Sequence, residues 1–313
     1  MNNRRIVVTG GAGFIGSHLV ERLAAARVGP ILVLDNMHRP CIEDPGAWPG
    51  HVAFARVDIR DRDAVAHWVR GSSAVFHLAA QSNVMGAVSN AGLAFDTNVT
   101  GTFNLLQAAK AAGVKRFVFT SSREVYGESQ RLPVSESAPF HAKNGYGTSK
   151  VAGELYCNLA AAEGLETVIL RLANVYGPRD RDRVIPLFLQ AAQRGLPIDI
   201  HGGDQVLDFV WIDTVVDALL KAAFGDWLPD PVNIGSGKGV TLPELASRIT
   251  EIAGSRSPVR IGPKRREEVR RFVADISRAR HLLGVPAPDD PLSYLPLLLR
   301  PAATASVAAS SSD

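Results

Sequence analysis

Ile6-Val7-Val8-Thr9-Gly10-Gly11-Ala12-Gly13-Phe14-Ile15-Gly16 decides the fold. Three apolar residues make a short strand and the glycines make a turn; from Ser17 to Arg27 the apolar residues Leu19, Val20, Leu23 and Ala24 recur at helical spacing. Gly11, Gly13 and Gly16 have the spacing of a dinucleotide-binding turn, in which glycines let the backbone approach a pyrophosphate that the helix N-terminus attracts. Gly10, Phe14 and Ile15 flank that contact.

Working outward, Ile31-Leu32-Val33-Leu34 is a second strand ending at Asp35, about twenty residues beyond the turn. A carboxylate there accepts hydrogen bonds from ribose hydroxyls and repels a 2′-phosphate, which argues for NAD over NADP. Asn36 stands beside it as a further candidate contact. Residues 52–57 make a third strand leading to Asp58 and Ile59, which either contact the adenine or serve as a turn Asp and a buried Ile. A strand over 74–80 ends in Leu78, Ala79 and Ala80, small enough at its end to leave room for a flat group, and His77 within it reads as a core histidine. Asp96 to Ala112 reads as a helix with Asn98 early in it and Gly113 as its stop. Strands alternating with helices predict an α/β fold, a Rossmann-type doubly wound parallel sheet.

The next strand, 116–120, ends in Ser121-Ser122-Arg123-Glu124-Val125-Tyr126-Gly127, where ligands sit in open parallel sheets. Beyond a proline-containing loop come Tyr146 and Lys150, four apart at the head of a helix, so an ammonium lies beside a phenol and favours its ionised form. Such a phenol is a base.

The 313 residues carry a formal net charge of +3 and 46% hydrophobic residues. This is an enzyme-like balance, with no basic run of the kind that binds nucleic acid. No apolar run reaches membrane-spanning length. Cys41 and Cys157 make no disulfide framework and no metal-ligand spacing, so a reducing cytoplasm is expected and no metal site. Residues 301–313 are small and polar and are expected to be disordered. The expected organisation is an NAD-binding domain over 1–175, with later segments interleaved, and a lobe for the substrate mainly over 176–300.

TGGAGFIG with Asp35, HLAAQS (His77 to Ser82), TNVTGTFNLL (Thr97 to Leu106), SSREVYG, YGTSK and RLANVYGPR (Arg171 to Arg179) follow one another in order. Through them the sequence resembles the extended short-chain dehydrogenase/reductase superfamily, within it the NAD-dependent nucleotide-sugar epimerases and dehydratases of the UDP-glucose 4-epimerase-like type. The resemblance implies Tyr146 as the base on the sugar 4-hydroxyl, with Lys150 lowering its pKa and holding the nicotinamide ribose and Ser122 bonding the reacting oxygen. Ser121, Leu78 to Ala80 and Asn98 join the implied cofactor contacts. The substrate implied is a nucleotide-diphosphate sugar, a UDP-sugar favoured, with Asn174 near the diphosphate, Arg179 among the substrate contacts and Arg265 with Glu268 as a phosphate and ribose pair, unless that charge run is a solvated face. Where the family commonly has an Arg clamp, this chain has Leu207. A homodimer through the Asp96 and Gly147 helices is also implied.

Several outcomes follow a 4-ketone. A 4-epimerase with retained NAD is the expected reaction. A dehydratase, by 4,6- or 5,6-elimination, or a uronate decarboxylase is the alternative, with Glu124 as a second base at carbon 5. Arg123 beside it cannot be the acid of the familiar 4,6-dehydratases; it binds a uronate carboxylate or faces solvent, the plainer outcome. A non-catalytic NAD-binding sensor is a third reading, disfavoured by the complete Ser122, Tyr146, Lys150 set.

Overall fold

The computed structural model describes residues 4–82, 90–129, 131–264 and 269–299. Strand β1 (Arg5–Thr9) is covered on both faces: Ile6 and Val8 enter one core and Val7 the other, each no more than 2% exposed. A strand apolar on both sides belongs inside a parallel sheet with helices over each face. That sheet continues with β2 (Ile31–Asp35), β3 (Val52–Arg56), β4 (Ser72–His77), β5 (Arg116–Ser122) and β6 (Glu166–Leu172). After three strands of other sheets, β7 (Asn174–Tyr176), β8 (Ile198–His201) and β9 (Val206–Trp211), the chain returns to it with β10 (Val232–Ile234). The order is β10-β6-β5-β4-β1-β2-β3, all parallel, so the winding reverses between β1 and β4. A crevice opens at such a point beyond the strand carboxyl ends.

Helices α1 (Phe14–Ala26), α2 (Arg62–Val69), α3 (Ala91–Phe95), α4 (Gly101–Ala111), α5 (Gly145–Ala162), α6 (Val184–Gln193), α7 (Ile212–Phe224), α8 (Leu242–Ile252) and α9 (Ser277–Leu283) complete the layers. Leu19 of α1 and Val215 of α7 fill the core beside Ile6; Val65 of α2, Leu105 of α4 and Cys157 of α5 fill the one beside Val7.

The boundaries differ from the sequence reading in two places that matter. The fourth strand stops at His77, leaving Leu78 to Ala80 outside it. The helix expected from Asp96 begins at Ala91, because the Asn90 side chain accepts a hydrogen bond from Leu93 N (3.0 Å), and it passes through a π-helical turn at Asp96–Thr100 before α4. Such turns widen a helix locally and recur at functional sites. Gly113 ends it in the left-handed region, as expected. Residues 301–313 lie outside the described residues.

The smaller part of the molecule is built on β9, flanked by β11 (Gly239–Thr241), β13 (Arg271–Phe272) and β7, with β8 pairing separately with β12 (Val259–Gly262). Asp208 fixes it. Its fully buried carboxylate accepts from Ser236 N (2.7 Å), Ser236 Oγ (2.6 Å), Gly237 N (3.0 Å) and Ala274 N (3.0 Å). Four donors satisfy the buried charge and tie three segments together.

Candidate active site

A cleft of about 1130 Å³ runs from the glycine turn past Ser122, Tyr146 and Lys150 to Ile198, His201 and Leu207. It exceeds the ~300–1,000 Å³ common for ligand pockets, as a site for two large molecules should.

At one end the glycines define a cradle. Gly10 has φ 70°, and a Cβ there would lie 2.7 Å from Ala79 N; one on Gly16 would lie 2.1 Å from the Gly10 carbonyl oxygen. At Gly13 the only neighbour a Cβ would meet is that same oxygen, at 3.3 Å, so the face is open. Helix α1 starts there with no acidic residue in its first turn and no side-chain cap, which leaves its N-terminus for an anion. Asp35 accepts from Ala12 N (3.0 Å) and Met37 N (2.8 Å), and burial raises its pKa. Asn36 donates to Asp58 (3.1 Å), whose carboxyl is held well below its ordinary range, chiefly by Arg60. Ile59 is buried and lines the cleft beside them. These residues fit a dinucleotide: the turn and α1 would hold its pyrophosphate and Asp35 its adenosine ribose.

His77 takes part in this end without touching the cleft. Thr102 Oγ1 donates to Asn98 O (2.7 Å), so at its other contact it must accept, from His77 Nε2 (2.8 Å). That places the ring proton on Nε2 and makes Nδ1 the acceptor for Thr9 Oγ1 (2.8 Å), which in turn accepts from Ala79 N (3.3 Å). Burial, aided by the Lys150 charge, keeps the ring neutral by pushing its pKa well down. The chain fixes Ala79 against Gly10. Asn98, in the π-helical turn, accepts from Gln81 N (2.8 Å) and donates to Ser149 Oγ (2.9 Å), tying the 78–81 segment to α5.

The central group lies between β5 and α5. Asn144 caps α5 by accepting from Gly147 N (2.8 Å), which sets Tyr146 in the first turn and Lys150 one turn on. Lys150 is 3% exposed, donates to Thr120 O (2.8 Å), and its ammonium lies 4.8 Å from the Phe119 ring centroid and 5.9 Å from that of Tyr146. Tyr146 and Ser122 line the cleft together, and the Ser122 hydroxyl favours the ionised phenol. The phenol itself differs from the expectation: burial pushes it up to about 12, and the strongest opposing influence is Arg183, followed by Ser122. Ser121, expected to meet the cofactor, donates its hydroxyl to Glu154.

Glu124 is buried, with one carboxylate oxygen 3.0 Å from Arg123 Nη2 and the other accepting from Asn144 Nδ2 (2.7 Å). Arg123 therefore does not face solvent. Its side chain is 12% exposed, packed over Phe272 and held through Nε by Asn174 Oδ1 (3.3 Å), because two acceptors and a ring outweigh hydration at that corner. Asn174 also donates to Asp208 O (2.9 Å). Arg179, expected among the substrate contacts, lines the cleft, and its guanidinium donates to Ser17 (3.1 Å) and Glu21 (2.6 Å) on α1, fastening the loop after β7 onto the first helix. Its backbone is left-handed, φ 70°. Leu207 lines the cleft; Arg265 and Glu268 lie outside the described residues.

Residues 6–235 match the family model for the NAD dependent epimerase/dehydratase family. The chain belongs to that family. It is 35% identical over 290 residues to the UDP-glucose 4-epimerase of Mycolicibacterium smegmatis, covering 90% of this chain and 92% of that one. It is 32% identical over 293 residues to UDP-glucuronic acid decarboxylase 6 of Arabidopsis thaliana, covering 90% and 84%. The structure of UDP-glucose 4-epimerase with UDP-glucose from Thermotoga maritima superposes with a TM-score of 0.87 at 33% identity, covering 94% of this chain and 96% of that one. As a family member, the chain is an NAD-dependent enzyme.

Sequence reasoning missed three participants. Glu154 carried a signal, four residues past Lys150 on the same helix face. Arg183 and Asp180 stood in an Arg-Asp alternation with no periodicity to mark them; Asp180 pairs with Arg183 (3.2 Å), and burial raises its pKa to about 6.

The buried ammonium of this family member has a measurable consequence. Burial lowers Lys150 to about 8 from its ordinary 10.5, so between those values the unfolded chain holds a proton that the folded chain does not. The folded state therefore gains stability as pH rises from about 8 to 10.5, by roughly 2 kcal/mol from this group. Urea unfolding at pH 8 and pH 10 should show that gain in the wild type relative to Lys150→Met; equal changes in the two proteins would contradict it.

Proposed function

We propose that the chain is an NAD-dependent nucleotide-sugar 4-epimerase with retained cofactor, acting on a nucleoside diphosphate sugar, a UDP-sugar foremost, through a transient 4-keto sugar. The observation that carries this is Ser122, Tyr146 and Lys150 gathered on one cleft, with Lys150 buried against the phenol, at the strand end beyond the dinucleotide cradle. The relatives support the substrate class, since the M. smegmatis and T. maritima proteins are UDP-glucose 4-epimerases.

Tyr146 takes the proton of the sugar 4-hydroxyl, and Ser122 donates to the same oxygen as it becomes a carbonyl. Lys150, fixed by Thr120 O, supplies the positive charge that favours the phenolate. Arg183, which lines the same cleft, is the strongest influence favouring the phenolate. The glycine turn and Asp35 would hold NAD, whose chemistry would be to take up the carbon 4 hydride and return it to the opposite face of the turned keto sugar. Tyr146 gives its proton back to the 4-oxygen as the hydroxyl re-forms.

A second reading has one observation in its favour. Glu124 is a buried carboxylate in the cleft, on the turn that follows Ser122, where it can remove a carbon 5 proton in a dehydratase or stand beside a uronate in a decarboxylase. Against this, both its oxygens are engaged, by Arg123 and Asn144. Incubation with NAD and UDP-, dTDP-, GDP- and CDP-sugars, uronates included, in deuterated water separates the two. Inverted carbon 4 without mass change or deuterium uptake is expected, and Tyr146→Phe should lower turnover at least about a hundredfold. Deuterium at carbon 5, or loss of water or carbon dioxide, would sink the epimerase reading.

The reading includes a cytoplasmic homodimer. Both cysteines are free, and no helix of the described residues is long and apolar enough to cross a membrane. On α3, α4 and α5 an apolar stripe stands exposed: Phe95 (58%), Phe103, Leu155 (55%), Tyr156 and Leu159 (54%), with the Phe103 and Tyr156 rings 5.3 Å apart. A second copy presenting the same stripe covers it. Light scattering should give a dimer for the wild type and a monomer for Leu155→Glu; a monomeric wild type contradicts the proposal.

A further inference from the structure

Three consecutive residues at the end of β5 face one helix, and two of them are gripped by it. Thr120 O accepts from Lys150 Nζ (2.8 Å) and Ser121 Oγ donates to Glu154, while Ser122 lines the cleft with Tyr146. Tyr146, Lys150 and Glu154 are spaced four and four, so they lie along one face of α5. The first two belong to the reaction already described; the third does not.

Glu154 is 1% exposed and is held from the next strand by Arg171, whose Nε lies 3.0 and 3.1 Å from its oxygens and whose Nη2 lies 2.7 Å away. Arg171 Nη1 donates on to Tyr126 OH (2.8 Å) and Glu136 O (2.9 Å), and Tyr126 donates to Asn233 Oδ1 (2.7 Å). The carboxylate is thus locked between two strands and cannot swing toward the cleft. We propose that Glu154, clamped by Arg171, is a positioning residue that sets the end of β5, and with it Ser122, against Tyr146, and that its charge, one turn along the same helix face, favours the Lys150 ammonium inside the protein.

Two ordinary explanations are insufficient. A buried pair serving stability alone has no need of the Ser121 hydroxyl, since Arg171 already satisfies the carboxylate with three contacts. Nor does another negative charge favour the Lys150 ammonium. Burial lowers Lys150, with Cys157 and Glu154 opposing, and burial also raises the Cys157 thiol, which stays neutral at working pH. From β4 the facing titratable group is His77, which is neutral, and Tyr146 is a phenol in the resting protein. Glu154 is the charge that remains.

The kinetic half of the test rests on the proposed epimerase reading; the spectroscopic half does not. In NAD-loaded protein, Glu154→Gln keeps an oxygen for Ser121 and removes the charge, while Ser121→Ala removes the hydrogen bond and keeps the charge. Each should lower kcat about tenfold or more with KM for the nucleotide sugar nearly unchanged, because a misplaced Ser122 weakens the transition state and not the ground-state complex. Carbon-13 NMR of protein labelled at lysine Cε, with the Lys150 signal identified by its loss in Lys150→Met, should show the Lys150 midpoint falling by about one unit in Glu154→Gln and staying in place in Ser121→Ala. A Lys150 midpoint unmoved in Glu154→Gln, or a raised KM with kcat unchanged, overturns the proposal. If Glu154→Gln does not fold, the Glu154→Gln/Arg171→Met double variant removes both buried charges together: a folded protein with lowered kcat supports the proposal, and wild-type kcat overturns it. Absence of turnover of any nucleotide sugar by the wild type would remove the epimerase reading and leave the Lys150 titration to decide this one.

Discussion

An ammonium buried to 3% exposure, with one backbone carbonyl as its direct partner, is the constraint around which this molecule is arranged. A buried charge is costly unless its surroundings answer it. The answer here is structural as much as electrostatic: the Lys150 bond to Thr120 O fixes α5 to β5 at the point where the strand ends, and the residues on either side of that bond are those that face the cleft. Tyr146 cannot move relative to Ser122 without breaking it.

The second constraint is how the smaller part of the molecule is held over that strand end. Asp208 gathers Ser236, Gly237 and Ala274, and Asn174 joins the Asp208 carbonyl to Arg123. On the opposite side Arg179 binds Ser17 and Glu21. Polar contacts therefore fasten the walls of the cleft at two places, one at Arg123 beside Ser122 and one at α1. Arg123 and Arg179, chosen from the sequence as substrate contacts, are part of this fastening in the structure; cations beside a site are as useful for holding its walls as for holding its ligand.

Much of the fold was legible because local signals agreed. The glycine turn, the run of apolar strands and Asp35 at the second strand end each admit few alternatives, and the seven-stranded parallel sheet follows from them. Ser122, Tyr146 and Lys150 were legible as residue types at a strand end and on one helix face. What could not be read was anything set by contact between distant segments: the tautomer of His77, which depends on Thr102 twenty-five residues on; the burial of Arg123, which depends on Phe272; and the partner of Glu154, which arrives with the next strand. The position of the phenol's strongest cation followed the same rule. Spacing pointed to Lys150, whereas the loop after β7 brings Arg183 to the same cleft.

The chemistry proposed for this arrangement is the removal and return of a single hydride at one carbon while a proton moves through Tyr146. The most direct test is turnover, by NAD-loaded protein, of a nucleotide sugar carrying deuterium at carbon 4. The account predicts that turnover slows and that the deuterium is found at carbon 4 of the inverted product. Loss of the label to water, or inversion with no change in rate and the label elsewhere on the sugar, would contradict it.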